Sequence, residues 1–254
     1  MRTNPIDSYF SFVVGVASYP TSSKNYGMLV TGAVYGTPER DLEKIAVPGL
    51  NGDVIVDHGR WKNIQVTYHC EIAKNFRENI FAFNNAIGRN MNQYKPLRDS
   101  YDTTHYRMAR FIGATNPEPL AYAESGTVDV VFDCKPQRYL DEQIRIDVTT
   151  TTTVRNTTGY EALPIFIVRE PGTFTITNED GTGHTMTVLS SWFDTYATMI
   201  IDSESKTCGN NNSLNPVNGN SYVSGIFPTL KPGNNTVTVS NGLQMQINPR
   251  WWTL

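Results

Sequence analysis

The stretch Phe132-Asp133-Cys134-Lys135-Pro136-Gln137-Arg138-Tyr139-Leu140 divides this chain into two differently patterned halves. Val128, Val130, Phe132 and Cys134 share one parity. Thr127, Asp129 and Asp133 take the other, with Val131 as the exception. This period of two predicts a half-buried strand. Pro136 has no amide hydrogen and biases Lys135 towards an extended backbone, so pairing is expected to stop there. A strand ending at a proline followed by polar residues suits a domain edge. The expected domains are therefore residues 1–140 and 141–254.

Upstream, Met28–Tyr35 reads as a short apolar strand closed by Gly36-Thr37-Pro38. Asp41–Val47 and Asp53–Asp57 read as a hairpin around Pro48-Gly49-Leu50-Asn51-Gly52, with His58-Gly59 as a further break. Asn-Gly readily takes the positive φ of a hairpin turn. Lys62–Ile72 reads as a strictly alternating strand: Ile64, Val66, Tyr68, Cys70 and Ile72 on one side, Gln65, Thr67, His69 and Glu71 on the other. A one-residue slip would bury His69 and Glu71, so the register is strongly specified. Residues 75–90 carry Phe76, Ile80, Phe83 and Ile87 at spacings of four, three and four, a helical stripe with Asn75 as its N-cap. The stripe is expected to cover strand 62–72. His105–Ile112 reads as a strand, and Asn116-Pro117-Glu118-Pro119 as a loop.

Downstream the chain is rich in Thr and Asn. Ile144, Ile146, Val148 and Val154 share a parity across Thr149–Thr153, which predicts one long strand. Short strands follow at 163–169, 173–177, 184–189, 195–201, 221–224, 236–240 and 243–247. They are separated by Pro171-Gly172, Asp180-Gly181, Pro232-Gly233 and Asn241-Gly242. So many short strands without a helix predict a β-sandwich. Residues 208–220 are an Asn-rich loop. The fold class is mainly β: an α+β amino-terminal domain with one helix on a sheet, then a sandwich.

The chain has 254 residues and a formal net charge of −3, which argues against a nucleic-acid binder. Its apolar runs fall short of the roughly 20 residues of a membrane span. Met1–Asp7 is polar, so no signal peptide is expected. Cys70, Cys134 and Cys208 form no CxxC pair, and buried thiols are the favoured reading. The histidines, His58, His69, His105 and His184, form no HxH or HExxH motif. Asp57-His58 with Asp102 or His105 is a weak metal candidate, and solvated turn residues are preferred. No GxSxG or P-loop is present, so neither catalysis nor a cofactor is expected. Asn156-Thr157-Thr158, Asn211-Asn212-Ser213 and Asn234-Asn235-Thr236 match the glycosylation triplet by chance. Trp192 is a candidate platform for sugar stacking. In Trp251-Trp252 at most one ring is expected to face the chain's own core.

The order of several motifs resembles the distal tail (Dit) proteins of siphophages of Gram-positive bacteria. The markers are Arg40-Asp41-Leu42, Ile45-Ala46-Val47-Pro48-Gly49, Asn51-Gly52-Asp53, Asp57-His58-Gly59, Leu97-Arg98-Asp99-Ser100, Tyr106-Arg107-Met108-Ala109-Arg110-Phe111, the stretch from Phe132 to Leu140, and Asn248-Pro249-Arg250-Trp251-Trp252. The resemblance implies a homohexameric ring at the virion tail tip or baseplate, assembled in the host cytoplasm, with the second domain a galectin-like sandwich. Implied partners are the tail tube protein, the end of the tape-measure protein, and tail-tip lysin, fibre or receptor-binding proteins. Neither nucleic acid nor membrane is a partner. Arg40, Asp41, Glu43, Lys44, Leu50, Asn51, Asp53 and Trp61 are the candidate subunit interface. Lys135, Gln137 and Arg138 are candidates for an inter-domain or subunit contact. The alternative function is glycan binding to host wall saccharides through the second domain.

Overall fold

A computed structural model describes residues 8–13, 20–88, 93–120, 124–141, 144–210, 215–240 and 242–254, with backbone alone at 114–116. The polar start Met1–Asp7, Arg89 and Asn90 of the expected helix, Asn211-Asn212-Ser213 and Asn241 lie outside the described residues. The protein is mainly β, with 56% strand and 11% helix. The chain divides into two compact units, Met1–Asp141 and Glu142–Thr253.

The first unit contains β1 (Phe10–Val13), β2 (Pro20–Ser22), β3 (Met28–Tyr35), β4 (Arg40–Ala46), β5 (Asp53–Trp61), β6 (Ile64–Ile72), α1 (Phe76–Ile87), β7 (Lys95–Asp99), β8 (His105–Leu120) and β9 (Ser125–Leu140). Its main sheet runs β2-β1-β7-β8-β9-β6-β3 with antiparallel neighbours. β4 and β5 form a separate two-stranded sheet. β6 follows its alternation throughout, with Ile64, Val66, Tyr68, Cys70 and Ile72 buried. On its wet face His69 meets its cross-strand partner Asp129 at 2.6 Å.

β9 is the longest-range organiser of this unit. It pairs with β6 along one edge and with β8 along the other. Phe132 is fully buried. Its ring meets Phe12 at 5.2 Å, Phe10 at 5.6 Å, Phe111 at 5.9 Å and Tyr68 at 6.1 Å between centroids. Such tilted and edge-on contacts are the geometry aromatic pairs favour. Helix α1 turns Phe76, Ile80, Phe83 and Ile87 inward. Phe83 lands on Phe10, Tyr26 and Phe111, so the stripe covers β1 and β8 and not β6 alone. Gly126 allows the helix to close on β9: a Cβ there would meet the Phe76 ring at 2.6 Å.

Four local expectations are corrected. β9 does not end at Pro136. Register passes from Ala109↔Cys134 to Arg107↔Arg138, so Lys135, Pro136 and Gln137 face Met108 alone. This bulge accommodates a residue that cannot donate to the ladder, and pairing resumes to Leu140. β8 continues through Asn116–Pro119, the expected loop, pairing Pro117 with Val128 and Pro119 with Gly126. Among the described residues only β7 pairs on the other side, and it reaches only Arg107–Ala109, so these prolines sit on an edge where a missing amide breaks no described ladder. β5 runs on through His58-Gly59 to Trp61, with Gly59 at φ +73° where register shifts. Asn75 precedes α1 in a left-handed conformation and makes no side-chain cap.

The second unit contains β10 (Ile146–Val148), β11 (Thr152–Asn156), β12 (Ile165–Val168), β13 (Gly172–Asn178), β14 (Gly183–Val188), α2 (Ser190–Phe193), β15 (Met199–Asp202), β16 (Thr207–Gly209), β17 (Val223–Gly225), β18 (Gly233–Val239) and β19 (Met245–Asn248). Two antiparallel sheets, β10-β19-β12-β15-β16 and β11-β18-β13-β14-β17, enclose one core. Phe166 of the first sheet meets Phe174 of the second at 5.1 Å. The expected long strand 144–154 is two strands in opposite sheets. The threonine run carries the crossing, because period-two parity cannot register a bend within uniform residues. The expected absence of a helix is also corrected by α2. The Asn-rich loop begins as β16, and Asn220 Oδ1 accepts the Cys208 amide at 2.6 Å.

Cutting Phe132 to alanine removes the ring that joins β1, β6 and β8. A loss of ~3–5 kcal/mol is expected for Phe132→Ala, measured as a lowered urea midpoint for the first unit.

Candidate functional site

Two features of the first unit stand apart from ordinary packing. The first is the β4–β5 hairpin. Every residue from Leu42 to Arg60 is exposed. Gly49 (φ +82°) and Gly52 (φ +89°) shape its turn, as Asn51-Gly52 suggests. Cross-strand pairs Glu43↔Val56, Lys44↔Ile55 and Ile45↔Val54 fix its register. Leu42 and Ile55 lie on one face; Ile45, Val54 and Val56 lie on the other. Ile55 is 59% exposed. An isolated two-stranded hairpin is marginal in water and both its edges carry unpaired backbone groups.

The charges of this hairpin are used within it. Arg40 donates to both oxygens of Asp57 at 3.0 and 3.2 Å, and its guanidinium lies 5.2 Å from the Trp61 ring centroid. Arg60 pairs with Asp41 at 2.6 Å, and His58 lies 3.6 Å from Glu43. The Gly59 amide and then Arg40 hold the Asp57 carboxyl below its usual range, and Arg60 does the same for Asp41. Of the expected interface set, Arg40, Asp41, Glu43 and Trp61 thus pair along the hairpin, while Lys44, Leu50, Asn51 and Asp53 are exposed towards its tip. Sequence reasoning on charges passed over Leu42, Ile45, Val54, Ile55 and Val56. Apolar residues at both parities of one short hairpin were the available signal.

The second feature is a cavity of about 410 Å³ lined in part by Tyr35, Tyr68, Leu97, Asp99, Tyr101, Asp102 and Arg107. Tyr68 and Leu97 belong to the core side of the sheet. Asp99 accepts from the hydroxyls of Tyr35 (2.7 Å) and Tyr68 (2.6 Å) and from the amides of Tyr101 and Asp102. Burial, followed by the neighbouring Asp99, pushes both tyrosine hydroxyls far above their ordinary pKa. Asp102 accepts from Thr104, His105 and Arg138. Burial raises its pKa, but the His105, Arg138 and Thr104 bonds outweigh it and hold the carboxyl at about 2. Arg138 therefore lies at this cavity, ion-paired to Asp102. Lys135 Nζ stands 5.7 Å from the Tyr94 ring centroid, and Gln137 Oε1 is buried without a partner among the described residues.

The other candidate positions resolve differently. Trp192 is 1% exposed, packs on Tyr196 and Tyr222 and donates its indole N–H to Thr198 O at 3.0 Å. It fills the sandwich core and offers no sugar platform. Trp251 and Trp252 both pack against that core, against the expectation for adjacent strand residues. Arg250 precedes them at φ +52°, outside strand geometry, and Trp252 stacks on Tyr160 at 4.3 Å. Cys70, Cys134 and Cys208 are buried free thiols, pushed up by that burial to about 12, 12 and 11. Asn156 is 2% exposed and donates to Tyr160 O and Leu230 O, so it is no glycan acceptor. Among the described residues, no group of three or more His, Cys, Asp or Glu is placed to hold a metal, and no helix is long and apolar enough to cross a membrane.

No family model matches this sequence, and no curated protein does. Solved structures do. The Dit protein of phage SPP1, described as a paradigm of the hub adsorption apparatus in phages infecting Gram-positive bacteria, superposes with a TM-score of 0.65 at 15% identity. The match covers 96% of this chain and 99% of that one. The chain has the fold of a phage tail hub protein. The phage P2 baseplate in its activated conformation matches at 9% identity over 94% of this chain and 97% of that one. Its TM-score is 0.55 in the calcium form and 0.56 in the strontium form.

Asp102 is the group whose titration reports on the cavity. Its depressed pKa contributes stability that is complete above the unfolded value near 4 and is lost as pH falls through about 2. Relative to wild type, Asp102→Asn is expected to lose ~2 kcal/mol near neutral pH. The gap should close between pH 4 and 2 in urea titrations.

Proposed function

We propose that the protein is a structural hub of a phage tail tip, assembling as a homohexameric ring that joins the tail tube to tail-tip lysin, fibre or baseplate proteins. The observation that carries this reading is the exposed β4–β5 hairpin within a hub fold that matches over 96% of the chain. A hairpin with apolar residues on both faces and two open edges is a poor monomer surface. It is well suited to lie across a neighbouring copy. The same contact repeated by a constant rotation closes a ring. Hairpin edges add strands to a neighbour's sheet through backbone hydrogen bonds, and alternate side chains supply the burial. The internal ion pairs Arg40–Asp57 and Arg60–Asp41 hold the hairpin's shape before a neighbour arrives. This preorganisation lowers the ordering cost of association. The role is mechanical and calls on no catalytic group.

Sedimentation velocity of the purified protein is expected to show a ring species. The double variant Ile45→Asp, Ile55→Asp places a charge on each hairpin face. It should sediment as a folded monomer, because both positions are already solvated. A wild type that stays monomeric at every concentration, even beside tail tube and tail-tip partners, overturns the ring.

A further inference from the structure

The cavity has one set of donors left over. A carboxylate offers about four acceptor positions. Asp99 already receives four hydrogen bonds, and Asp102 receives Thr104, His105 and Arg138. Asp99 has no capacity left, and Asp102 keeps room only at Oδ2, which among the described residues accepts from Arg138 alone. Arg107 is in the opposite position. A guanidinium carries five N–H donors, and the one partner of this group among the described residues is the Pro136 carbonyl, 2.9 Å from Nη1.

Arg107 shares its parity with buried Ala109 and Phe111, so it extends the core face of β8 to the sheet's end. It stands directly opposite Arg138 in the β8–β9 register. Like charges opposed in this way destabilise a strand pair. Asp102 neutralises Arg138, and Arg107 forms no ion pair with a carboxylate among the described residues. Burial lowers the Arg107 pKa, and the facing Arg138 charge adds to the lowering.

We infer that this cavity is a binding site for a carboxylate, held by the guanidinium fork of Arg107 with its adjoining flat apolar group against Tyr35 and Tyr101. The fork matches a carboxylate through two parallel N–H···O bonds. A volume of about 410 Å³ falls within the range of small-ligand pockets. The competing ligand classes fit less well. A sugar needs acceptors for its several hydroxyl protons, and the aspartates leave a single open position, on Asp102 Oδ2. An amine would meet the partly buried Arg107 guanidinium and find Asp99 already filled. A phosphate dianion would bring two negative charges to a cavity whose two aspartates and two arginines already balance. The carboxylate has two sources, a small free acid or an acidic group of a polypeptide such as a chain end. The inference stands independently of the hub reading.

Calorimetric titration of the intact protein with benzoate, benzamide, inorganic phosphate, and the tripeptide Gly-Gly-Phe with free or amidated terminus tests it. Benzoate is expected to bind at millimolar concentration and benzamide at least tenfold more weakly. Arg107→Gln should lose that preference, and Arg107→Lys, which keeps the charge without the fork, should weaken benzoate about tenfold. Tyr101→Ala alters only an exposed wall and should also weaken benzoate, which secures the test should the arginine variants fold poorly. Free-terminus tripeptide binding tighter than benzoate assigns the site to a polypeptide chain end, and the reverse assigns it to a small acid. Benzoate binding no better than benzamide or phosphate, or binding unchanged in Arg107→Gln or Tyr101→Ala, overturns the site.

Discussion

β9 is paired on both edges, and this double pairing constrains the whole first unit. A strand held by β6 and β8 cannot slip without moving Phe132 and Cys134 to solvent and Asp133 inward. The cluster of Phe10, Phe12, Tyr68, Phe111 and Phe132 then has one arrangement, and α1 has one surface to cover. The bulge at Lys135–Gln137 adds two residues to β9, so the strand keeps its facing and Arg138 returns to the side of Cys134. Core-facing positions thus carry phenylalanines under the helix and arginines beyond it. The cavity with Asp99 and Asp102 is the polar end of that same face.

Much of this was legible in residue pattern. The alternation of β6 needed no correction, because one wet face and one buried face leave a period of two in the sequence. The stripe of α1 was legible for the same reason at its own period. Boundaries failed where a residue's usual meaning depends on its neighbours. Pro117 and Pro119 break a central strand but sit unharmed on an edge, and edge status is a property of the sheet. Pro136 found a bulge, which only the partner strand reveals. The run from Ile144 to Val154 kept one parity through a crossing between sheets, since five threonines look alike on either side of a bend.

The candidate sites were legible in location but not in chemistry. The hairpin was visible from its turn and its charges. Arg40, Asp41 and Glu43 turned out to be paired within the hairpin, and exposed apolar side chains share the remaining surface with Lys44 and Asp53. Charge pairing across a hairpin is local and fixes register. Burial of Ile45 or Ile55 needs a surface that the chain itself does not supply. The cavity was less accessible still. Its arginines and aspartates are spread from Asp99 to Arg138, and nothing in their spacing says that Asp102 pairs with Arg138 while Arg107 bonds the Pro136 carbonyl. Trp192 shows the converse error: a large aromatic in a polar stretch suggested a platform, but its indole was needed to fill the sandwich.

A fold shared across 96% of the chain at 15% identity places a limit on where specificity resides. What such distant chains hold in common is pattern: alternating burial, an aromatic core and turn geometry, each of which many residues satisfy. Pattern is enough to rebuild the same sheets, because cores tolerate substitution while volume and periodicity are kept. It is not enough to choose a neighbour. Choice depends on individual side chains at surfaces that folding leaves unspent, and the exposed faces of the β4–β5 hairpin are such a surface here. The residues least constrained by the fold are therefore the ones through which partners would be distinguished.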